Sequence, residues 1–225
     1  MSKCESCIIK QFNSLKNLSK EELLRISACK TSKIIKKGEV IFEEGEMLKG
    51  VFCVRDGICK LTKLSANGKD QIVTLVVKGE LLGQRSIVSD QRTNLRATAL
   101  SDMEVCFIPK NEIVRNLTKN SEFTFDILKR MAIDLKEADD IIVNMAQKSV
   151  RQRLAETLIH IYKSFGTNPD GSLSVLLSRE DFASIVGTAT ESAIRVLSQF
   201  KKEGLISTIG KQIKIENLEG LKRIE

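Results

Sequence analysis

The chain has 225 residues, 36 basic against 29 acidic, a net charge of +7 and 42% hydrophobic residues. This composition excludes disordered, collagen-like and low-complexity chains, and the length allows one large domain or two small ones. No run approaches the roughly 18 apolar residues of a membrane span, and the opening residues lack the apolar core of a secretion signal, so a cytoplasmic protein is expected. Six cysteines at irregular spacing then read as thiols or metal ligands rather than disulfides. A pI near 9.1 invites an anionic partner. The excess charge is spread along the chain, so a motif has to carry any nucleic-acid claim.

Residues 32 to about 109 alternate short β-type runs with glycines. The runs are Ile34-Ile35, Val40-Ile41-Phe42, Val51-Phe52-Cys53-Val54, Ile58-Cys59-Lys60-Leu61, an apolar stretch at 72–77, and Glu104-Val105-Cys106-Phe107-Ile108. Short strands between regular turn signals predict an antiparallel sandwich or barrel, with Asn67-Gly68 as the best hairpin turn. From about 120 to 145, Phe123, Ile127, Met131, Leu135, Ala138, Ile142 and Met145 recur every three or four residues. Such a stripe suits either packing on the chain's own β domain or pairing with a second copy, and its seven positions favour pairing.

The last third reads as helix, extended segment, two short helices and a hairpin. Val150, Leu154, Leu158 and Ile161 share a face until Asn168-Pro169-Asp170-Gly171 breaks the helix, and 173–177 looks extended. A short helix from Ser178 ends at Gly187; a second, at 188–203, opens with Thr188 as its cap and closes at Gly204. Residues 206–209 and 212–215 flank Gly210-Lys211 as a hairpin. Two helices about a Gly turn followed by a hairpin describe a winged helix-turn-helix.

On the second helix Glu191 and Arg195 lie four residues apart, while Ile194, Leu197 and Phe200 are expected to turn towards the core or its boundary. A guanidinium can bond guanine O6 and N7, and a carboxylate can accept from cytosine N4, so these two are the candidate base readers. Thr190 can reach a base edge or a phosphate, and Ser178, Arg179, Thr188, Ser192 and Lys211 are candidate phosphate contacts. The competing structural reading is a Thr188–Glu191 capping box and a Glu191–Arg195 ion pair, common on any helix. The turn before and the wing after favour the DNA reading.

The run Leu177-Ser178-Arg179-Glu180-Asp181-Phe182, then Val186-Gly187-Thr188-Ala189-Thr190-Glu191-Ser192-Ala193-Ile194-Arg195, then Phe200-Lys201-Lys202-Glu203-Gly204-Leu205-Ile206 resembles the DNA-binding domain of the CRP/FNR family of bacterial transcription regulators. The likeness covers nearly the whole chain. It implies an α+β fold: a cyclic-nucleotide-binding-type antiparallel β-roll sensor (1–119), a dimerisation helix and hinge (120–148), and a winged helix-turn-helix (149–225). It also implies double-stranded DNA, a second copy of the chain and RNA polymerase as partners, a palindromic site, and Glu191 and Arg195 at the family's base-contacting positions.

For the signal, the resemblance points two ways. In the cyclic-AMP receptor branch a Gly-Glu pair holds the ribose and an Arg-Ser pair the phosphate. Here the matching stretch is Gly83-Gln84-Arg85-Ser86, with Arg92-Thr93 nearest to the second pair. Gln84 removes the acidic ribose partner, so cyclic AMP is not expected, although Gly83, Gln84, Arg85, Arg92 and Thr93 remain the candidate effector pocket. The chain looks closer to the FNR branch, where a Cys at the position of Cys106 joins N-terminal cysteines around a 4Fe-4S iron-sulfur cluster. Cys4 and Cys7 match, but Asn13 stands where the third N-terminal Cys would fall, leaving Cys29 as the remaining candidate ligand. Zinc, a Cys4–Cys7 dithiol switch and plain reduced thiols stay open, and Cys53 and Cys59 read as core thiols. The expected function is a homodimeric, sequence-specific transcription regulator and not an enzyme: His160 is the only histidine, and no βαβ pattern follows the Cys4–Cys7 pair. The rival is a nucleotide-binding module acting on a protein partner.

Overall fold

A computed structural model describes residues 6–65 and 68–224, which leaves Cys4 and Asn67 of the expectations above outside the described residues. The chain divides into two compact units, Met1–Lys69 with Val73–Lys136 and Asp70–Ile72 with Glu137–Glu225.

The first unit opens with two 3-10 turns, Ile8–Phe12 and Ser14–Asn17, and helix α1, Lys20–Cys29. The Ser19 side chain accepts from Glu22 N–H while the Glu22 carboxylate accepts from Ser19 N–H, a capping box that fixes the start of α1. Eight strands follow: β1 (Thr31–Ile35), β2 (Val40–Phe42), β3 (Gly50–Asp56), β4 (Ile58–Leu64), β5 (Asp70–Val77), β6 (Leu81–Leu82), β7 (Arg96–Ala99) and β8 (Met103–Pro109), with α2 (Gln84–Ser89) between β6 and β7. They make two four-stranded sheets, ordered β1-β8-β3-β6 and β2-β7-β4-β5, and the registered pairs are antiparallel. Val51, Val54, Cys59, Leu82, Ala97, Val105 and Ile108 close the core between them. The expected β-roll is present.

Helices α3 (Lys110–Lys119) and α4 (Ser121–Gln147) complete the series. Asn120 caps α4 by accepting from Phe123 N–H at 2.9 Å. The apolar stripe of α4 divides. Phe123 and Ile127 are buried, and Met131 packs against the same core, whereas Leu135 is 65% and Ile142 66% exposed. Phe125, Leu128, Ile133, Ile141 and Val143 are exposed as well, so α4 carries more unburied apolar surface than its stripe alone predicts.

The second unit holds α5 (Val150–Phe165), α6 (Arg179–Val186), α7 (Thr190–Lys202), the hairpin β9 (Ile206–Ile209) and β10 (Gln212–Ile215), and α8 (Leu218–Lys222). Leu154, Leu158, Ile161, Leu177, Phe182, Phe200 and Ile206 form its buried centre. Helix α5 ends at Gly166, ahead of the Asn168–Gly171 turn, because Gly166 takes a φ of 75° closed to most side chains. The extended segment after it makes isolated bridges at Leu173 and Ser172 and no strand.

Candidate nucleic-acid interface

Helix α6 begins with a reciprocal cap. Ser178 Oγ accepts from Asp181 N–H at 3.0 Å, and the Asp181 carboxylate accepts from Ser178 N–H at 2.9 Å and from the Ser178 hydroxyl at 2.7 Å. The hydroxyl proton of Ser178 is thus committed to Asp181, which conflicts with its expected phosphate contact. Gly187 ends α6 at φ 63°, ψ 53°, and its N–H and that of Thr188 both reach Ala183 O. A Cβ at this position would be strained, and would stand 3.0 Å from Met145 Sδ.

The expected Thr188 cap is not formed. Ala189 is the N-cap of α7, without a side-chain hydrogen bond, and the helix starts at Thr190. The first N–H groups of α7 therefore lack the usual side-chain acceptor. No ion pair joins Glu191 to Arg195, and both are exposed. Thr188, Thr190 and Ser192 are half-buried along the same end of the helix. Ala193, Val196, Leu197 and Phe200 form the inward face. Ile194 departs from expectation: it is 44% exposed, on the side of Glu191 and Arg195.

Two further groups frame this face. Arg179 donates from Nη2 to Gly210 O at the tip of the β9–β10 hairpin, 3.2 Å away. Its Nη1 is buried with no partner, and burial holds the guanidinium pKa below its ordinary value, yet an arginine stays charged at neutral pH. A buried cationic donor without an acceptor is the state that an incoming anion would relieve. Lys211 and Ile209 are exposed on the same hairpin.

A residue the sequence reading overlooked organises the unit. Arg153, on α5, donates from Nε to Val186 O at 2.8 Å and from Nη1 to Lys148 O and, at 3.4 Å, Met145 O. It ties the last turn of α4 to the turn between α6 and α7. Opposite-charge partners cannot mark such a residue, because its acceptors are main-chain carbonyls.

In the first unit Arg85, Arg92 and Thr93 of the candidate effector residues are engaged within the protein. Gly83 caps α2 at φ 85°, and a Cβ there would lie 2.7 Å from Leu48 Cδ1. Arg85 is exposed and pairs with Asp134 at 3.0 Å. Arg92 donates to Gly45 O at 2.9 Å, and Thr93 Oγ1 to Leu95 O at 3.1 Å. Gln84 Oε1 is buried without a hydrogen-bond partner.

The described cysteines form no ligand cluster with one another. Cys106 is buried on β8 with its sulfur 3.6 Å from Ser32 Oγ, Cys29 is exposed and donates to Ile26 O, and Cys7 is half-buried against the core. Asn13 clips the N-terminal turn to the roll through Gly79 O at 2.9 Å and Cys53 Sγ at 3.5 Å. Among the described residues no three His, Cys, Asp or Glu side chains could hold one metal ion, so their donor set does not fit a cluster. Cys59 is a core thiol pushed up to about 12 by burial, with Glu80 adding repulsion.

Residues 32–120 match the cyclic nucleotide-binding domain and residues 152–224 the Crp-like helix-turn-helix domain. The chain belongs to the CRP/FNR family of transcription regulators. Curated relatives of this regulator include the anaerobic regulatory protein of Haemophilus influenzae, 28% identical over 97% of the chain and 86% of that protein. The fumarate and nitrate reduction regulatory protein of Yersinia pestis is 28% identical over 98% and 89%. The fold is that of FixK2 from Bradyrhizobium japonicum, with a TM-score of 0.78 and 23% identity over 87% of this chain and 97% of that one. No helix among the described residues is long and apolar enough to cross a membrane.

Proposed function

We propose that this regulator binds DNA as a homodimer, setting two copies of α7 in successive major grooves of a palindromic site. The observation that carries this is the outward face of α7, where Glu191 and Arg195 stand exposed and unpaired with each other above a fully buried inner face. Glu191, Arg195 and Thr190 read base edges; Arg179, Thr188, Ser192 and Lys211 hold phosphates, and Ser178 serves by capping α6. The exposed apolar half of α4 supplies the contact between copies, and RNA polymerase is the downstream partner.

The N-terminal unit senses the signal. The relatives' names support a redox signal rather than cyclic AMP. Anaerobic purification with iron, zinc and acid-labile sulfide assays tests the metal: stoichiometric iron and sulfide assign a cluster, and a metal-free protein assigns the signal to thiols or to the roll. DNA binding is tested by selecting sites from random duplexes and measuring affinity by fluorescence anisotropy. The expected result is a palindrome bound far better than its half-site, with affinity falling steeply as salt rises. Equal affinity for shuffled sequence would overturn the proposal.

A further inference from the structure

On α7 the buried positions are Ala193, Val196, Leu197 and Phe200, and Glu191, Ile194, Arg195 and Ser198 repeat that spacing two residues earlier, all exposed. Two residues are a rotation of about 200° on an α-helix, so the second set lies opposite the first. Ile194 thus sits in the middle of the face assigned above to DNA, and this inference rests on that assignment. It is the only exposed large hydrophobic residue of α7. The core does not require it, and the neighbouring Ser198 hydroxyl donates to Ile194 O at 2.8 Å, which leaves its oxygen able only to accept from a base.

An aliphatic side chain in a major groove is unfavourable over most base edges, because it removes water from polar atoms and returns no hydrogen bond. One exception exists. The thymine C5 methyl is the apolar group that the groove displays, and burying it against another aliphatic group releases water from both. Isoleucine also suits the task by stiffness: a β-branched side chain in a helix has one strongly preferred χ1 rotamer, so little freedom is lost on contact. We propose that Ile194 is a specificity-determining residue that selects thymine through its methyl group, at a pair beside those read by Glu191 and Arg195.

Replacing thymine by deoxyuridine deletes that methyl and leaves every hydrogen-bonding atom in place. With operators obtained by selection, each thymine of a half-site is exchanged in turn and affinity is measured for the wild type, Ile194→Ala and Ile194→Ser. The burial of one methyl predicts about a fourfold loss for the wild type at one thymine per half-site, and about sixteenfold when both half-sites are changed. Ile194→Ala should bind thymine and deoxyuridine sites alike. It should also fold, since the side chain is exposed and alanine is the better helix former, which circular dichroism verifies. A wild type that selects a sequence but ignores every methyl overturns this inference alone, as does an Ile194→Ala protein that keeps the full thymine preference. Selected half-sites with no thymine in common also overturn it. A wild type that selects no sequence overturns the interface and this role together.

Discussion

Replacing Arg153 by methionine keeps the aliphatic stem and deletes every donor. Val186 O then loses its 2.8 Å bond, and Lys148 O and Met145 O lose theirs. Hydrogen bonds from a charged donor are each worth about 1.5–3 kcal/mol net, but these carbonyls are partly accessible and water recovers part of the loss. The Met145 bond is long and counts for little. The net expectation is about 2 kcal/mol, or roughly a thirtyfold increase in the unfolded fraction of this unit. The chain has no tryptophan, and its single tyrosine, Tyr162, lies on α5 of the same unit, so tyrosine fluorescence during urea unfolding reports that unit selectively. Arg153→Lys should recover only part of the loss, since an ammonium cannot span three acceptors as a guanidinium does. A change below about 0.5 kcal/mol would refute the reasoning, because surface substitutions without a structural role fall in that range.

Arg195→Ala should cost about 1–3 kcal/mol of binding and relax preference at one base pair per half-site, whereas Arg179→Ala should weaken all sequences alike and lower the salt slope by about one; unchanged specificity in competition assays with Arg195→Ala would remove it from the reading set. Leu135→Glu combined with Ile142→Glu should convert the dimer to monomer in sedimentation velocity without loss of helicity, as both side chains are exposed on α4. Acid should loosen the N-terminal turns. Burial pushes the Glu22 carboxyl up, but the Ser19 N–H and the Asn120 amide outweigh it; burial likewise opposes, and Ser14, Lys16 and Asn17 outweigh, at Asp126, so both end below the ordinary carboxylate range. A depressed folded pKa contributes stability that is present above the unfolded value and lost as pH falls through the folded one, so hydrogen exchange over 14–26 should accelerate below about pH 4, and Glu22→Gln with Asp126→Asn should reproduce it at neutral pH.

Periodicity carried most of the fold. The β9–β10 hairpin lies where the glycine and the flanking apolar runs put it, and Leu154, Leu158 and Ile161 are buried as one stripe predicts. The errors concern tertiary choice. Ile194 looked like a boundary residue because apolar residues usually are, and its exposure depends on α7 being already filled inward by Ala193 and Leu197. Thr188 has the composition of a cap, yet the Gly187 turn carries the chain one residue further before helical geometry begins. The Arg85–Asp134 pair, the Asn13–Gly79 clip and the Arg153 carbonyl cluster join residues far apart in the chain or use main-chain acceptors, and neither leaves a local pattern.

The loop after α2 is closed by its own hydroxyls. Ser86 Oγ donates to Gln91 O, Thr93 Oγ1 to Leu95 O, and Thr93 N–H to Glu46 O. This alters how genetics at these positions should be interpreted. In a roll whose hydroxyls hold a ligand, alanine at either position would shift the dose–response to that ligand and leave the free protein intact. Here the same alleles would open the loop before any small molecule arrives, and an inactive Ser86 or Thr93 mutant recovered from a screen would mark a folding lesion rather than an effector contact.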